Sequence, residues 1–309
     1  MEYNTQFVAK TQVLWYISSL TTNFLGVLFM IKFWDIQIPP LTGKEKRKVY
    51  VYVPDSYEDD PGLRYPVLYM FDGHNVFFDT HATYGKSWGM KEYLDNNEVQ
   101  LMVVAVECNH SPDHGRLKEY SPYDFSDDIY GHIKGKGDIT LDWYIKTLKP
   151  YIDANYPTLP DREFTYIGGS SMGGLMSLYA VFARNDVFSG AMSMSPSIWV
   201  APRKLKELIK NTEVDHVTDL YIDFGEYETS AYYDKLSLFF DIVNTAYRKG
   251  VCVNSRMVPE GSHCEASWEK QLPFAIQTLM YRVDRLEEEL AREARESQIK
   301  YDLPEEDAV

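Results

Sequence analysis

Cysteine is scarce in this chain: 309 residues hold three, Cys108, Cys252 and Cys264, and no two form a C-x-x-C pair. An odd, sparse set argues against a disulfide framework or a zinc site, and it reads as a cytoplasmic chain. Positive charge is also short, with 31 Lys and Arg against 46 Asp and Glu and a net charge of −15. Nucleic acid is therefore excluded as an expected partner, and so is an anionic membrane surface. Neither a P-loop nor a G-x-G-x-x-G occurs, and no cofactor is expected. The pair His110-x3-His114 has metal-like spacing. Pro112 lies between the two and no third ligand is evident, so the segment reads as solvated loop and no metal is assigned. The carboxylates are too scattered to nominate a glycosidase pair.

One long uncharged run exists, "TQVLWYISSLTTNFLGVLFMI" at 11–31. It is long enough to span a bilayer. Gln12, Ser18, Ser19, Thr21, Thr22 and Asn23 dilute it, and no small-residue cleavage site follows. Three readings stand: a membrane anchor, a segment packed on the domain, or translated leader with the start at Met30. Membrane contact is expected only under the first. The tail from 282 to 309 is charged, with Glu and Arg at i, i+4 spacing, and reads as a solvated helix extension. Nothing between Lys48 and Tyr281 resembles a linker or a repeat. The expected organisation is an extension (1–35), one catalytic-size domain (36–283) and a helical tail (284–309). A homo-oligomer is left open.

What is abundant is apolar and aromatic: 45% of residues are hydrophobic, and tyrosine occurs 24 times. Tyr pairs an apolar face with a polar tip, which suits a ring-lined cleft as well as a core boundary. Strand-like runs recur at "KVYVYVP" (48–54), "YPVLYMFDG" (65–73), "VQLMVVAVE" (99–107), "FTYIG" (164–168), "SGAMSMSP" (189–196), "DLYIDFG" (219–225) and "VCVNSRMVPEG" (251–261). Helical spacing separates them at 139–157, 172–185, 202–210 and 230–250, and a long helix is expected over 265–296. Pro150 predicts a kink or break in the first. Strands alternating with helices, and apolar on both faces, predict an α/β fold: a mostly parallel central sheet covered on both sides. Residues 108–138 have no clear period and read as a long loop beyond a strand's C-terminal end, where open α/β sheets bind ligands.

Gly169-Ser170-Ser171-Met172-Gly173 fits G-x-S-x-G between a buried strand and a helix. In that setting the central serine sits on a strained turn with its hydroxyl above the sheet. The alternative is a Gly-rich packing turn. A serine needs a base, and the base needs an orienting carboxylate. Of seven histidines, His263 follows the last strand, which matches the chain order serine, acid, histidine. The acid is expected after "DLYIDFG": Glu228 at the tip of the turn, or Glu226, with Asp223 inside the strand. One of the glutamates could instead cap the helix near Ser230. The oxyanion donors are expected to be the backbone amides of Met172 and His74, the latter aimed by a tight turn at Gly73. Trp88, Tyr120, Tyr123, Tyr130 and Trp199 are candidates to line the cleft. Arg116 is expected to pair with a substrate carboxylate or with a neighbouring acid.

The segments "YPVLYMFDGHN" (65–75), "RLKEYSP" (116–122), "GGSSMGGLMSLY" (168–179), "MSPSIW" (194–199), "DFGEYE" (223–228) and "GSHCEASWEKQLP" (261–273) carry a resemblance. Over roughly residues 36–283 the chain resembles the esterase family of the α/β-hydrolases also called the esterase D family. That family includes feruloyl and acetyl-xylan esterases, trilactone siderophore esterases and mycolyltransferases. The resemblance implies an α/β-hydrolase fold without a large lid, Ser171 as nucleophile, His263 as base and Glu228 as acid. It puts the oxyanion hole on the amides of His74 and Met172. It implies a serine esterase acting on acyl groups of carbohydrates or related small esters, an oligosaccharide ester being the expected partner. An acyltransferase, a siderophore trilactone esterase and a non-catalytic binding relative are the alternatives.

Overall fold

The computed structural model describes residues 31–214, 216–228 and 232–284. The apolar runs become eight strands of one sheet: β1 (Ile31–Gln37), β2 (Lys46–Tyr52), β3 (Val67–Met70), β4 (Met102–Val106), β7 (Thr165–Ser170), β8 (Gly190–Met194), β9 (Asp219–Gly225) and β10 (Cys252–Val258). Their order is β1-β2-β4-β3-β7-β8-β9-β10. The six strands from β4 to β10 are parallel, and β1 and β2 add an antiparallel edge.

The strands are apolar on both sides because both faces are covered. Side chains alternate between two cores. Val67, Tyr69, Met102, Val104 and Ile167 face one core, with helix α2 (137–155), α3 (Met172–Ala183), α4 (Pro202–Asn211) and α5 (Tyr232–Arg248). Leu68, Met70, Val103, Ala105 and Tyr166 face the other, with α1 (Met90–Asn96), α6 (Glu265–Glu269) and a last helix, α7, over 272–284. Helix α3 is buried on nearly every side, so it is the one the sheet is built around.

Four elements differ from the sequence pattern. β1 reaches back past the expected boundary at 36: its register runs from Ile31 opposite Tyr52 to Gln37 opposite Lys46. Its half-exposed edge position explains the missing apolar run. Pro150 does not break α2. Tyr144–Leu148 forms a wider i→i+5 turn just before it, closed by Lys149 N donating to Tyr144 O, so Pro150 stands in the first turn of the segment that follows, where its missing N–H costs least. Residues 108–138 are not bare loop. They hold a short helix, Gly115–Glu119, and a hairpin of β5 (Phe125–Asp127) and β6 (Gly131–Ile133). An ion pair anchors them, Arg47 Nη1 to Glu119 Oε1 at 2.5 Å, with both side chains buried. Finally, the helix expected over 265–296 turns at Lys270 and Gln271 between α6 and α7.

The expected tail beyond 284, the helix cap near Ser230 and the run at 11–30 lie outside the described residues. Among the described residues no helix is long and apolar enough to cross a membrane, and no separate lid domain is present.

Candidate active site

The C-terminal ends of six neighbouring parallel strands meet at one rim of the sheet. β7 stops at Ser170 and α3 begins at Met172, so Ser171 alone makes the turn, with φ 58° and ψ −119°. Such a backbone costs on the order of 1–3 kcal/mol and persists only where neighbours hold it. They do: Ser171 N donates to Met194 O at 3.0 Å, and its carbonyl accepts from Leu175 N at 2.9 Å and Ser197 N at 3.0 Å. A side chain at Gly169 would put its Cβ 2.9 Å from the Gly173 carbonyl carbon, which is why that position is glycine. The Ser171 hydroxyl lies 3.5 Å from Ser197 Oγ. Among the described residues it has no hydrogen bond to His263, although both side chains line the same cavity.

His263 follows β10, and its Nδ1 stands 3.2 Å from Glu228 Oε2. Glu228 is thus the carboxylate the fold brings to the histidine. Glu226 instead accepts from Glu260 N at 3.0 Å on the exposed side of the turn. Asp223 points inward, accepting from Ser195 N at 2.7 Å and Tyr221 Oη at 3.0 Å. Burial pushes the Asp223 carboxyl up to about 7 in spite of those two bonds. Glu228 Oε1 accepts from Gly225 N at 2.5 Å and Ser195 Oγ at 2.6 Å. Ser195 Oγ in turn accepts from Trp268 Nε1 at 2.8 Å. Ser195, like Ser171, carries a positive φ, here 43°. The Trp268 ring meets the His263 ring edge-on at 5.2 Å.

The loop after β3 supplies the other wall. The left-handed turn falls on Asp72 (φ 56°), not on the expected Gly73. Gly73 is needed for contact instead: a Cβ there would sit 2.7 Å from the backbone of Ala105 on β4. Arg116 Nε and Nη2 each donate to Asp72 at 2.7 Å, so Arg116 takes the neighbouring-acid option. Burial alone would raise Asp72, and the guanidinium beside it outweighs that and holds the carboxyl below its ordinary range. Among the described residues, neither the His74 nor the Met172 amide donates a hydrogen bond.

Ser171 and His263 stand where two arms of the cleft join. One arm, about 270 Å³, is lined by Tyr130, Ile198, Trp199, Phe224 and Phe239, with Lys235 over the Trp199 ring at 5.1 Å. The other, about 480 Å³, carries most of the polar side chains, Asn75, Thr83, His110, His114, Arg116 and Glu265, with apolar surface from Tyr84, Leu117 and Trp268 between them. Trp199 and Tyr130 thus lie on the wall of the first arm. Trp88 does not: it is buried and packs on Trp268 at 5.9 Å. Nor does Tyr120, which is fully buried under the β3 loop and accepts from Asp72 N at 3.1 Å. Both were aromatic residues near motif segments, and the loop before α1 and the turn after the Gly115–Glu119 helix carry them into the core. Tyr123 packs against Tyr179 and lines neither arm. His110 and His114 are not partners: His114 meets Tyr130, and His110 meets His74 at 4.9 Å. Sequence reasoning missed Ser195, Ser197 and Trp268. All three sit inside quoted segments, "MSPSIW" and "GSHCEASW", but their residue types alone gave no role.

The sequence pattern of the family described as "Putative esterase" matches residues 42–279. The chain belongs to that family. Among curated proteins, it is similar to the "Uncharacterized protein YbbA" of Bacillus subtilis, 24% identical over 163 residues, which covers 50% of this chain and 58% of that protein. It is also similar to a siderophore triacetylfusarinine C esterase of Aspergillus fumigatus, 31% identical over 101 residues, 30% of this chain and 34% of that protein. The matched stretches thus span less than two thirds of these relatives. A solved ferulic acid esterase shares the fold, with a TM-score of 0.57, 18% identity, and coverage of 78% of this chain and 94% of that one.

Proposed function

We propose that this member of the esterase family is a serine esterase that hydrolyses small carboxylic esters, with Ser171, His263 and Glu228 as its triad. One observation carries the reading: the 3.2 Å His263–Glu228 pair opens onto the cavity that the Ser171 turn also lines. Ser171 Oγ swings from Ser197 to His263 Nε2 and attacks the ester carbonyl as the imidazole takes its proton. Nδ1–H stays on Glu228, which fixes the tautomer and stabilises the imidazolium. The amides of His74 and Met172 receive the oxyanion, each worth about 3–4 kcal/mol in the transition state. His263 then protonates the leaving alcohol, and water repeats the sequence to free the acid.

The two arms favour an acylated carbohydrate. The aromatic arm suits an aromatic acyl group of the feruloyl kind, and the polar arm suits sugar hydroxyls. A siderophore ester is the second reading, favoured by the relative from Aspergillus fumigatus. Ser171→Ala should lose p-nitrophenyl acetate turnover by roughly 10⁴-fold or more with unchanged circular dichroism, and should lose fluorophosphonate labelling. Unchanged turnover would remove Ser171 from this role. Feruloylated and acetylated oligosaccharides set against siderophore esters separate the two substrate readings, and added glycerol reports acyl transfer.

A further inference from the structure

We propose that the polar arm contains a second site, for a soft divalent cation of the Zn²⁺ type, built from His74, Cys108 and His110. The three come from different places: His74 from the loop after β3, Cys108 from two residues past β4, His110 from the next turn. One donor atom from each lies within 4.8 Å of the others. Zinc–ligand bonds of about 2.0–2.3 Å set tetrahedral donors about 3.5 Å apart, so a small closure suffices. Cys108 Sγ already stands 3.9 Å from His110 Nδ1. His110 is exposed and on a loop, so it is the member free to move.

The second observation is independent of spacing. His74 is 6% exposed, and its Nε2 is engaged with Thr83 Oγ1 at 3.0 Å. Its Nδ1 is buried and has no hydrogen-bond partner. A buried polar atom left so is costly. The tautomer that donates Nε2–H to Thr83 leaves an accepting lone pair on Nδ1 with no donor facing it. Thr83 is itself placed by its amide, which donates to Asn75 Oδ1 at 2.9 Å. This is how an outer partner orients a ligating imidazole. One sulfur and two nitrogens favour zinc-like ions over magnesium or calcium. Three protein ligands leave a fourth position facing the cleft. A cation there stands in the arm proposed for the alcohol, on the residue whose amide is proposed for the oxyanion, so occupancy inhibits turnover. That consequence rests on the esterase reading; the binding does not.

Co²⁺ titration of the metal-free protein tests the binding. The expected result is a thiolate-to-Co²⁺ charge-transfer band that saturates at one equivalent and is displaced by Zn²⁺. Cys108→Ser should abolish the band, and His110→Ala, at an exposed position, should weaken binding at least tenfold with unchanged circular dichroism. His263→Ala should bind as the unaltered protein does. No band in the unaltered protein, a band that survives Cys108→Ser, or loss of binding in His263→Ala would overturn the site. With p-nitrophenyl acetate, Zn²⁺ should inhibit reversibly and at least tenfold more weakly in His110→Ala; equal inhibition of both would overturn the regulatory part. A protein with no esterase activity but an intact band would separate failure of the functional reading from failure of the site.

Discussion

The acid end and the serine end of the proposed triad are built differently. Glu228 is nearly buried and takes two hydrogen bonds on one oxygen while the other faces His263. Its main support, Ser195, is itself held by the Trp268 indole and by Asp223. Ser171 has a rigid backbone, but among the described residues its hydroxyl has only a 3.5 Å neighbour. The positioning machinery is thus spent on the carboxylate, and through it on the imidazole, while the nucleophile keeps a free torsion. Glu228→Gln breaks the braced end outright. An amide offers His263 Nδ1 a donor as readily as an acceptor and favours the wrong tautomer. We expect kcat to fall roughly 10⁴-fold with little change in KM. A fall of less than tenfold would move the acid role to Glu226.

Ser195→Ala asks whether the brace matters beyond the carboxylate. It removes one donor to Glu228 and leaves Trp268 Nε1 without its acceptor. A hydrogen bond to a charged group is worth about 1.5–3 kcal/mol, so kcat should drop ten- to a hundredfold with KM unchanged. A change in KM alone would assign Ser195 to substrate binding.

Beneath the brace, Asp223 links catalysis to stability. Its folded pKa is raised from 3.8 to about 7 by burial. The sign follows from linkage: the stability this protonated carboxyl contributes is full below about pH 4 and is lost as pH rises through about 7. Asp223→Asn keeps an acceptor for Ser195 N and removes the titration. Urea unfolding at about pH 5 and about pH 8 should show the unaltered protein losing on the order of 3 kcal/mol between them and the variant losing much less. Parallel losses would show that Asp223 is ionised in the folded chain.

The same contrast explains what the sequence could reveal. The buried strands were legible because two covered faces demand unbroken apolar runs, and the Ser171 turn because steric demand writes glycine at fixed offsets. The His263–Glu228 pairing rests on chain order, and order survives folding. β1 was not legible because an edge strand needs only half a pattern. Trp88 and Tyr120 went the wrong way because aromatic residues serve core and cleft alike, and only the tertiary packing of the loop and the helix end that carry them decides. Ser195 and Ser197 stayed silent since serine near a strand end is ordinary. The His74, Cys108 and His110 group was hidden for a different reason: 34 residues separate the first two in sequence, and only the β3–β4 pairing brings them together.

The serine end carries the smallest expected effect. Ser197 contributes two things to Ser171: its amide clamps the Ser171 carbonyl at 3.0 Å, and its hydroxyl stands 3.5 Å from the nucleophile. Ser197→Ala keeps the clamp and removes the hydroxyl. A contact at the outer limit of hydrogen-bond geometry is weak, so releasing it should let Ser171 reach His263 more often and raise kcat by no more than about threefold, a change of about 0.6 kcal/mol. Stopped-flow acylation with p-nitrophenyl acetate would read it in the first turnover, before deacylation masks it. An acylation rate that falls more than tenfold would mean that Ser197 acts on the reacting atoms, and that the serine end is as deliberately supported as the acid end.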